Sequence, residues 1–197
     1  MFIKKEQLPL LIFMVMAIIF FTIIFSLRKN YEFLMYIGVI ILFFSIVLYT
    51  NKKLQYSNII LWGLSFWAIL HMSGGGLYIG GKKIYELILI PLVGEPYYIF
   101  RFDQFVHIIG FGVATLIMYH LLKPWLLEGN KSKVAIPIVV VMAGLGVGAL
   151  NEIVEFIATV IMPETGVGGY INTSLDLVSD LVGALIALMV IKFNKFK

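Results

Sequence analysis

Five acidic side chains and a histidine stand inside stretches of sequence otherwise too apolar to hold them. Asp103, Glu152, Glu155, Asp176 and Asp180 make up five of the eleven Asp and Glu residues, and His107 lies among them. They come in pairs: Asp103 and His107 four residues apart, Glu152 and Glu155 three, Asp176 and Asp180 four. On an α-helix those separations bring both members of a pair to one face. A carboxylate at the centre of a membrane helix costs about 2.5–3.5 kcal/mol on insertion scales, so the folded chain must offset a large penalty. Three arrangements would do so. A divalent cation is one, since one or two His with several Asp and Glu suit zinc, manganese or magnesium. Such a metal activates a water or polarises a phosphoryl oxygen. Shared protons are the second, giving a relay or an ion-coupled transporter. The third is a structural clamp built from Arg101 and hydrogen bonds.

Each polar face continues in small residues. The stripes are Asp103, His107, Gly110 and Ala114; then Gly144, Gly148, Glu152 and Glu155; then Asp176, Asp180, Gly183 or Ala184, and Ala187. Small residues let membrane helices approach closely, so the simplest packing brings the three stripes together with their polar groups facing one another.

The elements that carry these stripes must be membrane spans. The 197-residue chain is 61% hydrophobic and only 13% charged, against roughly 45–50% apolar and a quarter charged in soluble domains. That excludes a soluble globular protein, a disordered chain and a coiled coil. The absence of cysteine excludes disulfides and thiolate-ligated metal. A net charge of +4 in so apolar a chain reports topology and lipid contact, not nucleic-acid binding. The fold expected is an all-α polytopic membrane protein, one transmembrane domain over residues 1–197. Its six helices are expected near 7–27, 31–50, 57–72, 101–122, 134–161 and 173–191. The first apolar run lacks a small-residue cleavage site and is followed by Arg28-Lys29, which reads as an uncleaved anchor.

Basic residues set the orientation. With six spans, ten of the 15 Lys and Arg fall on the side of the termini; Arg28, Lys29, Lys82, Lys83 and Arg101 fall on the other. The positive-inside rule puts both termini in the cytoplasm. Glu155 and Glu152 then lie roughly 9 and 14 Å from the outer end of the fifth span, and Asp180 roughly 10 Å below the outer start of the sixth. The acids therefore share one layer in the outer half of the membrane, and His71 at the outer end of the third span could reach it.

Residues 73–100 form the one long connection, SGGGLYIGGKKIYELILIPLVGEPYYIF. Its apolar piece, Tyr85–Val93, is too short to span and contains Pro91, so an interfacial or re-entrant segment is expected. Its glycines precede no Gly-Lys-Ser/Thr, which makes a flexible hinge a better expectation than a phosphate cradle. Thr173 or Ser174, with Asn172 as a third choice, is the expected N-cap of the last span.

The stretch His71-Met72-Ser73-Gly74-Gly75, then Tyr85, then RFDQFVHIIGFG, then NEIVEF and INTSLDLVSDLVGAL, resembles the YjdF-like family of inner-membrane proteins over about residues 60–190. More distantly, Asp-x-x-x-His followed by a mid-helix Glu and a late Asp resembles VanZ-like proteins, a family associated with glycopeptide resistance. The resemblance maps onto His71, Gly74, Gly75, Tyr85, Arg101, Asp103, His107, Gly110, Glu152, Glu155, Asp176, Asp180 and Gly183. It implies a shared polar core and brings no established reaction. Where the YjdF-like pattern often has an Asp four residues before the Asp of the last span, this chain has Asn172.

The combined expectation is an acidic site opening to the extracytoplasmic side. Its leading function is a metal-dependent hydrolase or transferase acting on a lipid or lipid-linked head group. His107, Glu152, Glu155, Asp176 and Asp180 would be ligands and acid–base groups for zinc, manganese or magnesium, with Asp103 behind them. Arg101, Tyr85 and His71 would hold the substrate. A proton- or ion-coupled transporter or flippase, or a non-catalytic envelope factor, uses the same residues differently.

Overall fold

The structure, a computed structural model, describes residues 4–126 and 132–193. Six α-helices dominate it: α1 Leu8–Leu27, α2 Tyr31–Leu54, α3 Asn58–Gly76, α4 Phe102–Leu126, α5 Ala135–Ile161 and α6 Tyr170–Lys192. All six are long and apolar enough to cross a membrane. Large apolar side chains such as Phe20, Phe43, Phe66, Phe156 and Leu185 are exposed along them, as helices facing lipid tails require. The chain divides into two compact units, Met1–Leu87 and Ile88–Lys197.

In the first unit, polar side chains finish the helix ends. Pro9 sits in the first turn of α1, where its missing N–H is no loss. Asn30 caps α2, its Oδ1 accepting from the Phe33 amide at 3.2 Å, and Ser57 caps α3 through the Ile60 amide at 3.4 Å. Asn51, near the end of α2, donates from Nδ2 to Gln7 Oε1 at 2.9 Å and accepts from the Tyr56 amide at 3.0 Å. That ties the start of α1 to the turn after α2.

The end of α3 corrects the expectation of a flexible hinge. A Cβ at Gly74 would strike the Tyr85 ring, one at Gly75 the Phe33 ring, and one at Gly76 the Phe25 ring. The three glycines are therefore a seat for three aromatic rings. The open carbonyls at the helix end are closed from outside: Arg28 Nη1 donates to Gly76 O, and Asn30 Nδ2 to Gly75 O at 3.3 Å. The other glycine pair makes a turn. Gly80 and Gly81, with φ of +59° and +81°, join strands β1 (Tyr78–Ile79) and β2 (Lys82–Lys83) as a two-residue hairpin of the type that needs positive φ at both positions.

The second unit opens with another antiparallel pair, β3 Ile88–Val93 and β4 Ile99–Arg101. The long connection is thus extended and hairpin-forming, with only a short 3-10 turn at Ile84–Glu86. Its apolar run has β-branched residues at Ile88, Ile90 and Val93 and a proline that a helix interior would not accept. The helices also differ in extent. α2, α3 and α4 each run four residues beyond the expected end, and α6 starts three earlier, at Tyr170 with Gly169 as its N-cap. Asn172, Thr173 and Ser174 are therefore inside the first turns and none is the cap.

Candidate functional site

The second unit brings three of the sequence stripes together. α4 and α6 cross almost backbone to backbone: a Cβ at Gly183 would meet the carbonyl oxygen of Ile108 and lie 2.9 Å from the Gly112 amide nitrogen. A Cβ at Gly112 would lie 3.2 Å from Gly183 O. α5 joins through Gly144, which faces the Thr115 hydroxyl of α4, and through Gly148, whose Cβ position is occupied by the Asp180 carboxylate. Gly148 is thus a floor for an acid on the neighbouring helix. Gly112, one of the closest contacts, lies off the stripe expected from sequence, which ran through Gly110.

Within this packing His107 and Asp180 meet. His107 Nδ1 is 2.9 Å from Asp180 Oδ1, and both residues are buried. The spacing placed Asp103 on the same face one turn away on α4, and a ligand atom of each does lie within 4.8 Å of the other; the hydrogen-bonded partner comes from α6. An imidazole whose Nδ1 engages a carboxylate is held in orientation and keeps Nε2 for a ligand or a proton.

Asn172 connects the remaining acids. Its Nδ2 donates to Asp176 Oδ2 at 2.5 Å and to Asp103 Oδ2 at 3.5 Å, so one amide spans α6 and α4. On α5, Asn151 Nδ2 donates to Glu155 Oε1 at 2.9 Å. Sequence reasoning passed over Asn151. Its place four residues before Glu155 on the same helix face was the available signal.

Four carboxylate oxygens are left over. Asp176 and Asp180 are 1% and 0% exposed. Yet Asp176 Oδ1, Asp180 Oδ2 and both oxygens of Glu152 have no hydrogen-bond partner among the described residues. Buried polar groups are nearly always satisfied, and an unsatisfied one costs about 1–3 kcal/mol, more if charged. Two sets of side chains bring their ligand atoms within 4.8 Å of one another: Asp103, His107 and Asp176, and His107, Glu152 and Glu155. Both draw on His107.

The expected substrate-binding residues are divided between the two units. The Arg101 guanidinium lies over the Tyr98 ring, 5.3 Å from its centre, and so braces the β3–β4 hairpin. Tyr98 also donates to Glu95, which holds its phenol above the usual value for tyrosine. His71 and Tyr85 belong to the first unit and meet there, with the Tyr85 hydroxyl 2.6 Å from His71 Nδ1. Phe33, Tyr36 and Trp67 surround the His71 ring at centroid distances of 5.5 Å each. Glu32, buried at the start of α2 and hydrogen-bonded to Tyr36 at 3.4 Å, belongs to the same neighbourhood and escaped the sequence reading.

Six spanning helices, three of them gathered around buried acids, define a polytopic membrane protein with an intramembrane polar core. The chain matches, over residues 8–195, the model of the family described as "Predicted membrane protein (DUF2238)". It belongs to that family, which is the YjdF-like family indicated by its motifs. No match was found among curated proteins or among solved structures.

Proposed function

We propose that the α4–α6 core holds a divalent cation, and that the protein is a metal-dependent hydrolase or transferase acting on a lipid or lipid-linked head group in the cell membrane. One observation carries this reading: carboxylate oxygens of Asp176, Asp180 and Glu152 are buried without partners beside an imidazole that Asp180 already orients. A cation held by Asp103, His107 and Asp176 would satisfy the free Asp176 oxygen and relieve the repulsion between neighbouring carboxylates. Zinc, manganese and magnesium are the candidates for a His and carboxylate donor set.

His107 has one nitrogen left beyond Asp180, so it serves one ligand set at a time. Asp103, His107 and Asp176 form the more buried set, which leaves Glu152 and Glu155 for acid–base work. A bound cation would supply a Lewis acid and a water acidic enough to attack near neutral pH. Glu152 would take up a proton from that water, and the surrounding apolar helices would exclude bulk solvent. With both termini in the cytoplasm, this site faces the extracytoplasmic side.

The test is metal content of the purified protein, compared with Asp176→Asn and Glu152→Gln. Stoichiometric metal that disappears in Asp176→Asn and persists in Glu152→Gln supports the cation and its ligand set. A well-folded wild type that takes up no zinc, manganese or magnesium overturns the enzyme reading. The same acids are then a proton relay of a coupled transporter or flippase, or the core of a non-catalytic envelope factor of VanZ-like type.

A further inference from the structure

Where α1 and α3 finish, four basic residues of the first unit collect on two turns. Arg28 and Lys29 follow α1, and Lys82 and Lys83 form the second strand of the hairpin that follows α3. Arg28 ties the two turns together. Its Nη1 donates to Gly76 O, and its guanidinium lies over the Tyr78 ring, 5.2 Å from the centre. Tyr78 pairs with Lys83 across the hairpin, and Ile79 with Lys82. Residues directly opposite in an antiparallel pair project from one face, about 4.5–5.5 Å apart at Cβ. Lys83 therefore leaves the hairpin on the same face as Tyr78, whose ring carries Arg28.

Helix geometry accounts for only part of this. A cation at a helix C-terminus complements the dipole, which covers Arg28. Lys29 is different. It closes α1 in a Schellman turn, its own amide bonded to Ser26 O at 3.2 Å and the Asn30 amide to Phe25 O at 2.9 Å. The residue at that position takes a left-handed backbone, here φ +54°, where glycine is usual and a lysine is strained. Strain of this kind gathers where function needs the side chain. Arg28, Lys29 and Lys82 are exposed, and none of the four cations is ion-paired with a carboxylate among the described residues. Against them stands one exposed acid, Glu86, in the turn after the hairpin.

A guanidinium offers five N–H donors in a planar fork, and Gly76 O takes one of them. Such a fork with an ammonium beside it matches a phosphate group. Basic residues at the ends of spanning helices stand at the level of lipid head groups. Ile23, Leu27 and Ile79, close to the cations in sequence, are exposed and offer an apolar surface to acyl chains. We infer that this end of the first unit binds the phosphate of an anionic phospholipid, with Arg28 and Lys83 as its direct partners and Lys29 and Lys82 adding charge. The binding needs neither the metal nor the reaction proposed above.

The experiment uses the full chain in a neutral maltoside detergent with a chelator present. It is titrated with dilauroylphosphatidylglycerol or dilauroylphosphatidylcholine, and bound lipid is counted by native mass spectrometry. The first phosphatidylglycerol should bind about tenfold tighter than the first phosphatidylcholine, the worth of one charge-assisted hydrogen bond. Lys83→Gln should remove most of that preference. Lys29→Gly should weaken it several-fold while folding at least as stably as wild type, since glycine takes positive φ without strain. Lys53→Gln removes the same charge from the last turn of α2, and should leave the preference intact. Equal binding of the two lipids, or an equal loss in Lys53→Gln and Lys83→Gln, overturns the inference. Glycerol phosphate that displaces phosphatidylglycerol at equal concentration overturns the lipid, leaving a site for soluble phosphate. Metal content of the same protein, measured without chelator, keeps the two claims apart. A protein that holds metal without preferring the anionic lipid loses only this inference; one that prefers the lipid without holding metal loses only the enzyme reading.

Discussion

At the scale of single residues, the His107–Asp180 contact separates chemistry from packing. Its partners come from different helices, and both are buried. His107→Gln keeps a nitrogen donor near Asp180 Oδ1 but loses basicity and most metal affinity. Its unfolding free energy in detergent should stay within about 1 kcal/mol of wild type, the net worth of one hydrogen bond. His107→Leu leaves Asp180 with neither oxygen satisfied and should cost about 3–5 kcal/mol, as when a buried pair loses one member. If the two variants unfold alike, the contact has no structural role, and the pairing of α4 with α6 rests on glycines alone. Asn172 poses a second residue-scale question. Sequence showed it as a missing acid and a third-choice helix cap; in the fold its amide supplies hydrogen bonds to Asp103 and Asp176. Asn172→Asp replaces that donor with a third carboxylate. The variant should be less stable than wild type in chelator and should gain more in melting temperature on addition of manganese, because ligand binding stabilises in proportion to affinity. Equal gains for the two proteins would place Asn172 outside the cation's reach.

At the scale of elements, the helices were legible because apolar runs of this length seldom occur outside membrane spans. The stripes were legible because small residues recur at helical spacing: Gly144, Gly148 and Gly183 all face a neighbouring helix. Helix ends, the point of closest approach and the partner of His107 were not legible. Helix ends run past the apolar window wherever a polar side chain closes them, as Arg28 and Asn30 do for α3, and a side chain 45 or 48 residues away leaves no local signal. The residue at closest approach depends on the crossing angle, so Gly112 could not be told from Gly110. The partner of His107 depends on rotation of α6 about its own axis, which spacing within α4 does not report. The crossing makes its own prediction. Gly183→Ala places a methyl against the backbone of α4, which cannot turn aside as a side chain would, and should destabilise by about 1–3 kcal/mol. Gly146→Ala, with nothing within 4 Å of the new methyl, should be neutral or slightly stabilising, since Ala is the better helix former. The difference between the two in a denaturant series measures the crossing. Equal effects would mean that α4 and α6 do not meet at Gly112 and Gly183.

At the scale of the whole molecule, the question is which side of the membrane the acids open to. Six spanning helices place the α3–α4 connection and the α5–α6 connection on one side, and the α4–α5 connection on the other. The side with the termini carries ten basic residues against five, which favours that side in the cytoplasm. The bias is carried by short stretches next to helix ends, such as Lys52-Lys53 at the end of α2 and Lys123 in the last turn of α4, where the rule is strongest. The α5–α6 connection, residues 162–169, bears no basic residue at all. Because the chain has no cysteine, single cysteines can report this directly. Lys82→Cys and Glu164→Cys, both at exposed positions, should react with a membrane-impermeant maleimide on intact cells, while Ser132→Cys should react only after lysis. The opposite pattern would turn the acid cluster to the cytoplasmic half, where the available head groups and the pH they meet are different. Reaction at all three positions on intact cells would mean that the helices do not alternate across the membrane, and the expectation of a shared depth for Glu152, Glu155 and Asp180 would fail with it.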